Sequence, residues 1–309
     1  MRLLFMGTPD FAATILQDLL QTEHEILGVV TQPDKQKGRG HELSYSPVKE
    51  LALQHGLTVY QPTKVKEEAF LQMVRELAPE VIVVAAFGQI LPKVFLDIPC
   101  NGCINVHASL LPKYRGAAPI QYSILDGEEE TGITIMHMDV GIDTGDIILQ
   151  AKLSIEPEET GGSLFNKLAV LGGGLLIEAL EKIKNKTAER IPQDNEKASY
   201  VKMISKEMGK IDFIQPAIQI ERLIRGLNPW PTAYTFLEGK TLKLWKAEVK
   251  QESYDAVPGE VVALNKDSIA VKTGEGILII KELQLEGKKR MPADAFLRGC
   301  GIQIGTKLG

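Results

Sequence analysis

Residues 105–121 read NVHASLLPKYRGAAPIQ. Asn105, His107 and Ser109 alternate along this stretch, so on a strand they share one face while Val106 points the other way. Three chemistries could use such a set. A serine nucleophile wants a sharp strand-to-helix turn of the G-x-S-x-G kind, whereas Ser109 is followed by Leu110, Leu111 and Pro112. A metal centre wants several His, Cys, Asp or Glu ligands converging, and no second His lies within five residues of His107. Direct acyl transfer needs neither nucleophile nor metal. When an amine attacks a carbonyl, the oxygen takes on negative charge, and an Asn amide and a His aimed at one point can stabilise it. A carboxylate is still needed to hold the His and help move a proton to the leaving nitrogen. The segment MDVGIDTGD offers Asp139, Asp143 and Asp146. Asp is also common beside glycine in plain turns, and spacing alone does not choose among the three. Cys100 and Cys103 form half of the usual four-ligand zinc set, with Cys300 far away, which argues against a metal or a redox pair.

The elements that must position these residues follow from apolar patterning. Arg2–Met6, Glu25–Thr31 and Leu57–Tyr60 read as extended, as do Val81–Ala86 and Cys103–His107. Between them, about Phe11–Leu20, Pro47–His55 and Glu67–Leu77 read as helices. The VIVVAA run is apolar on both faces, as in a strand covered by helices on both sides. The rhythm predicts an α/β fold with an open, mostly parallel sheet, whose ligands sit beyond the carboxyl ends of the strands. Asn105 and His107 fall at such an end. Gly132–Met138 and Ile147–Leu153 are close enough for an antiparallel pair. A long helix over about Ser163–Ile183 carries three glycines at 172–174, which predicts close packing there. MGTPDFA lacks the G-x-G-x-x-G spacing and reads as a tight turn into the first helix. A polar segment with Pro192 then reads as a linker. A helix with Ile220, Leu223, Ile224 and Leu227 on one stripe follows, and then short strands suited to a small β-barrel or sandwich.

The net charge of −5 hides an asymmetry. Residues 1–200 hold 18 basic and 27 acidic residues, or −9, and residues 201–309 hold 17 and 13, or +4. A basic half on an acidic chain suggests a polyanionic partner for the second half. Residues 33–44, PDKQKGRGHELS, are locally basic and long for a connection in such a fold. The short apolar start meets Gly7 and Pro9 and reads as a buried strand instead of an export signal. A cytoplasmic location is the resulting expectation.

NVHASLLPKYRGAAPIQ followed by MDVGIDTGDII resembles the folate-dependent formyltransferases, which use 10-formyltetrahydrofolate. MGTPDFA, TQPDKQKGRGHELSYSPVK, AAFGQILP, KIDF, NPWPTAYT and GKKRMPADAFLRG, in that order, are similar to the branch of that family acting on methionyl-tRNA. One departure is MHMD at 136–139, where the family more often has Gln at the His137 position.

The resemblance implies a Rossmann-like catalytic domain over residues 1–185 and a linker over 186–208. It implies a smaller, OB-like β-barrel domain over 209–309 that helps hold tRNA. It implies Asn105, His107 and Asp143 as the catalytic trio, with no metal and no covalent enzyme intermediate. It implies folate contacts at Ser109, Leu110, Leu111 and Pro112, with Phe87, Gly88, Gln89, Ile90 and Leu91 walling the pterin pocket. The 33–44 insertion, with Lys35, Lys37 and Arg39, would engage the acceptor end of the tRNA and order upon it. The partners implied are initiator methionyl-tRNA and the folate co-substrate, with no membrane and no obligate protein partner.

Overall fold

The computed structural model describes residues 1–37, 42–299 and 301–309, with residues 35–37, 42 and 43 given by backbone alone. The chain divides into two compact units. Met1–Pro119, Glu130–Ser154 and Phe165–Val201 form the first, and Ile120–Glu129, Ile155–Leu164 and Lys202–Gly309 the second.

The strands of the first unit are β1 (Arg2–Gly7), β2 (Glu25–Val30), β3 (Lys35–Lys37), β4 (Glu42–Ser44), β5 (Val59–Tyr60), β6 (Val81–Ala85), β7 (Cys103–His107), β8 (Arg115–Gly116), β9 (Glu130–His137), β10 (Ile147–Ser154) and β11 (Tyr200–Val201). Seven of them form one sheet in the order β10-β9-β7-β6-β1-β2-β5. The five from β7 to β5 are parallel, while β9 runs antiparallel to β7 and β10 antiparallel to β9. Chain order leaves β1 in both directions, so the crevice at the carboxyl ends of β1 and β6 is the topological switch point where such sheets bind ligands. Every residue of β6 and β7 is buried, as the two-faced apolar pattern predicts. Leu4, Met6, Val30, Ile82 and Val84 pack against Phe70, Leu71 and Val74 of the helix Glu68–Leu77 and against Phe95.

The long helix spans Gly161–Lys184. It is the one described helix long and apolar enough to cross a membrane, and half of its most apolar stretch is buried within the protein. A Cβ on Gly172 would sit 3.1 Å from Val106 Cγ1. A glycine costs a helix about 1 kcal/mol relative to alanine. Here it lets the helix approach the back of the strand whose front carries Asn105 and His107.

Two expectations change in this unit. Within residues 33–44, read from sequence as a long connection, β3 and β4 pair antiparallel from Lys35↔Ser44 to Lys37↔Glu42. The ladder satisfies backbone groups that an open loop would leave to water. The segment after the long helix, read from sequence as linker, is bonded into the first unit up to Val201. Ile191 bridges Ile147, and β11 pairs in parallel with β8. These pairings join residues 44 to 85 positions apart and leave no periodicity in the sequence.

In the second unit β12 (Ala233–Leu237), β13 (Lys240–Lys250), β14 (Val261–Leu264), β15 (Ile269–Lys272), β16 (Ile277–Leu285) and β17 (Met291–Pro292) form an antiparallel sheet in the order β12-β13-β16-β15-β14, with β17 on β16. Glu238 (φ +50°) and Gly239 (φ +76°) make the tight β12–β13 hairpin. Ile220 and Ile224 of the helix Ala217–Gly226 join Leu242, Leu244, Leu278 and Ile280 in its core. The expected OB-like barrel does not close by strand pairing, since β14 and β12 are not neighbours. The chain end spans the gap instead. Val261 N–H donates to Thr306 O, Leu308 N–H to Gly259 O, and Gly309 N–H to Phe236 O. An edge covered in this way is protected from pairing with other chains.

Candidate active site

The trio strand β7 is fixed from both sides. Asn105 pairs with Val84 of β6 and Met136 of β9, and His107 with Thr134 of β9. Asn105 is 9% exposed and His107 5%. The loop between β9 and β10 returns over this strand and brings Asp143 to both. His107 Nδ1 lies 3.6 Å from Asp143 Oδ2, and Asn105 Nδ2 lies 3.5 Å from Asp143 Oδ1. Of the three candidate carboxylates, Asp143 is thus the one gathered to the pair. Asp139 caps its own turn through Gly141 N–H and the Thr144 hydroxyl, and Asp146 sits 4.0 Å from Arg190.

Three groups that sequence reasoning did not single out hold this arrangement. The Tyr114 carbonyl oxygen lies 2.9 Å from His107 Nε2 and can only accept, so Nε2 carries hydrogen there. In the neutral ring the lone pair is then on Nδ1, facing Asp143. Gly116 N–H donates to Asp143 Oδ2 at 2.8 Å and fixes the carboxylate. Gln193 Nε2 donates to the carbonyls of Asp143 and Gly145, both at 2.8 Å. Asp143 itself has φ +53°, a backbone conformation that costs a non-glycine residue about 1–3 kcal/mol and persists only where neighbours enforce it. Tyr114 and Gly116 lie inside the quoted motif and were within reach of the sequence. Gln193 lies in a polar stretch that carried no signal.

The SLLP segment is held by its own bonds. Ser109 is fully buried and its hydroxyl donates to Lys113 O at 2.6 Å, so the side chain closes a turn. The Thr134 hydroxyl donates to Ser109 O at 2.7 Å and accepts from Leu111 N–H, and Gln150 Nε2 donates to Leu111 O. Leu111 packs with Met136 and Ile147, leaving Leu110 and Pro112 half-buried.

In the 87–91 stretch, Phe87 and Leu91 belong to the core. Gln89 accepts from Val65 N–H. Gly88 (φ +84°) and Ile90, 81% exposed, face outward. The Phe87 carbonyl accepts from Gln32 Nε2 at 3.0 Å and from the Thr8 hydroxyl at 3.4 Å, tying together the loops after β6, β2 and β1 at the switch point.

The root of the β3–β4 hairpin is pinned as Lys49 Nζ donates to Asp34 Oδ2 at 2.5 Å and Gln61 Nε2 to Asp34 Oδ1 at 2.8 Å. Lys35 and Lys37 lie in β3 by backbone. Arg39 falls outside the described residues, and with it the part of the 33–44 segment expected to order on tRNA. Among the described residues no group of three or more His, Cys, Asp or Glu side chains is gathered as for a metal. Burial pushes the Cys103 thiol up to about 12, and it donates weakly to Leu96 O, while Cys100 is exposed. Such a thiol stays protonated and inert.

Residues 1–180 match the formyl transferase family, and residues 203–301 match the formyl transferase C-terminal domain. The chain is 53% identical over 306 residues, 99% of each chain, to a methionyl-tRNA formyltransferase of Agathobacter rectalis. It is also 53% identical over 309 residues, the whole of both chains, to one of Caldanaerobacter subterraneus subsp. tengcongensis. A crystal structure of an N-formyltransferase from Helicobacter canadensis, in complex with folinic acid and dTDP-3-aminofucose, superposes with a TM-score of 0.69 at 22% identity, covering 94% of this chain and 99% of that one.

Proposed function

The chain belongs to the formyl transferase family, and we propose that it carries the formyl group of 10-formyltetrahydrofolate to the free amino group of methionyl-tRNA, giving formylmethionyl-tRNA for translation initiation. The observation that carries the chemistry is the arrangement around His107. One ring nitrogen is tied to the Tyr114 carbonyl, and the other is open toward Asp143 beside Asn105.

The residues present fit the co-substrate. Exposed Ile90 and half-buried Leu110 and Pro112 offer apolar surface for a pterin. Bound there, 10-formyltetrahydrofolate supplies an electrophilic formyl carbon on a nitrogen that can leave. Asn105 Nδ2 donates to the formyl oxygen as it gains charge. His107 takes the amine proton on Nδ1 and then passes it toward the departing nitrogen. Asp143, 3.6 Å away, stabilises the imidazolium while it exists. A free α-amino group has a pKa near ~7.7–8.0, and an ester lowers it, so a neutral fraction of the nucleophile is available without a stronger base.

Lys35, Lys37 and Arg39 of the 33–44 segment contact the acceptor end of the tRNA, and the basic second half supplies phosphate contacts. The tRNA substrate puts the reaction in the cytoplasm. The test offers 10-formyltetrahydrofolate with methionyl-tRNA, free methionine or an amino-sugar nucleotide. Formyl transfer to methionyl-tRNA alone is the expected outcome. Preferred transfer to either small amine overturns the reading.

A further inference from the structure

Gln193 spends every hydrogen-bonding valence of its amide on two other parts of the chain. Nε2 donates to the carbonyls of Asp143 and Gly145. Oε1 accepts from Arg115 Nε at 3.0 Å and Nη2 at 2.8 Å. The guanidinium can only donate and the two carbonyls can only accept, so the amide has one workable orientation. Arg115 is 1% exposed and is held further by Asn195 Oδ1 and the Tyr200 hydroxyl, both at 2.9 Å. The next residue, Gly116, gives its N–H to the Asp143 carboxylate. Arg115, Gln193, Asp143 and Gly116 therefore close a ring in which Asp143 is gripped at both its carbonyl and its carboxylate. That grip falls on the residue whose left-handed backbone needs enforcement.

We infer that Gln193 is a positioning residue for Asp143. Its amide holds the β9–β10 loop in the conformation that faces the carboxylate toward His107 Nδ1. The inference rests on the reading of Asp143 as the carboxylate of the trio. Gln193→Glu isolates the effect, because a carboxylate still accepts from Arg115 but has nothing to donate to the loop and repels its carbonyls. Gln193→Ala removes both halves.

The experiment measures kcat and KM for both substrates in full-length Gln193→Glu, Gln193→Ala, Asp143→Asn and the Gln193→Glu/Asp143→Asn double variant, together with the amide proton resonance of Gly116. For Gln193→Glu the expected result is a fall in kcat of at least about 10-fold with KM within about twofold. The Gly116 amide proton should move upfield as its bond to Asp143 loosens, and the double variant should be no slower than Asp143→Asn alone. Gln193→Ala should repeat this pattern; if it fails to fold, Gln193→Glu carries the comparison. Wild-type kcat in Gln193→Glu, an unmoved Gly116 resonance, or additive losses in the double variant overturns the inference. If Asp143→Asn is crippled and Gln193→Glu is not, only the positioning role falls. If Asp143→Asn keeps full kcat, the trio reading falls and this inference with it.

Discussion

Replacing Asp143 by Asn changes almost no volume and removes one charge, which makes it the cleanest perturbation of the site. The His107 and Asp143 side chains are 6% and 16% exposed and 3.6 Å apart. Coulomb's law at an effective dielectric of ~20 gives about 4–5 kcal/mol for an imidazolium–carboxylate pair at that distance, and about half of that at ~40. That energy is present only while Nδ1 holds the proton, so it lowers the barrier without tightening substrate binding. At 1.36 kcal/mol per decade the loss is about 10²–10³-fold in kcat. Asn also has one acceptor oxygen where the carboxylate receives Gly116 N–H and faces Asn105 Nδ2, which adds to the loss. Single-turnover formyl transfer at saturating 10-formyltetrahydrofolate and methionyl-tRNA reads the effect directly. A rate within about 5-fold of wild type would refute the electrostatic role given to Asp143.

Three further outcomes are expected. Asn105→Ala should lower kcat by about 10²-fold or more with little change in KM, since an oxyanion donor acts in the transition state; equal losses in binding would contradict this in steady-state kinetics. Burial and the nearby Arg190 push His137 down to about 4 from 6.5, partly offset by Asp146. The unfolded chain therefore binds the extra proton between those values, and stability is lost as pH falls from about 6.5 toward 4. His137→Gln should flatten that decline by roughly 1 kcal/mol at pH 5 after allowing for partial exposure, read as a smaller drop in Tm between pH 7 and 5. Binding of methionyl-tRNA should weaken steeply with salt, and each Lys or Arg in contact should contribute about 0.7–0.9 to the log–log slope. A flat salt dependence would remove the role given to the basic second half.

The parts of this molecule legible in its sequence are those written in local periodicity. The two-faced run at Val81–Ala86 predicted a covered strand, and Val81–Ala85 forms one. The alternation at 105–109 placed Asn105 and His107 on one face of β7, and Gly172 lies against the back of that strand. Resemblance, not spacing, raised Asp143 above Asp139 and Asp146, and its distances to His107 and Asn105 are what set it apart in the structure. What stayed hidden depends on contacts between distant residues of ordinary type. Gln193 reaches Asp143 across 50 positions, and Tyr200 pairs with Arg115 across 85. The second unit's edges are joined by a chain end with no strand pattern. Ser109 shows the converse, a prominent motif residue whose side chain turns inward to close a turn.

In the proposed reaction the formyl group passes straight from folate to the methionyl amine, with His107 carrying the proton. The most direct test is rapid-quench analysis with formyl-labelled 10-formyltetrahydrofolate and methionyl-tRNA, on the wild-type protein and on His107→Ala. Label should leave folate and arrive on tRNA at one rate, with none on the protein at any time and a rate at least about 10²-fold lower in His107→Ala. Label found on the protein before the tRNA, or a His107→Ala rate near wild type, would contradict the proposed reaction.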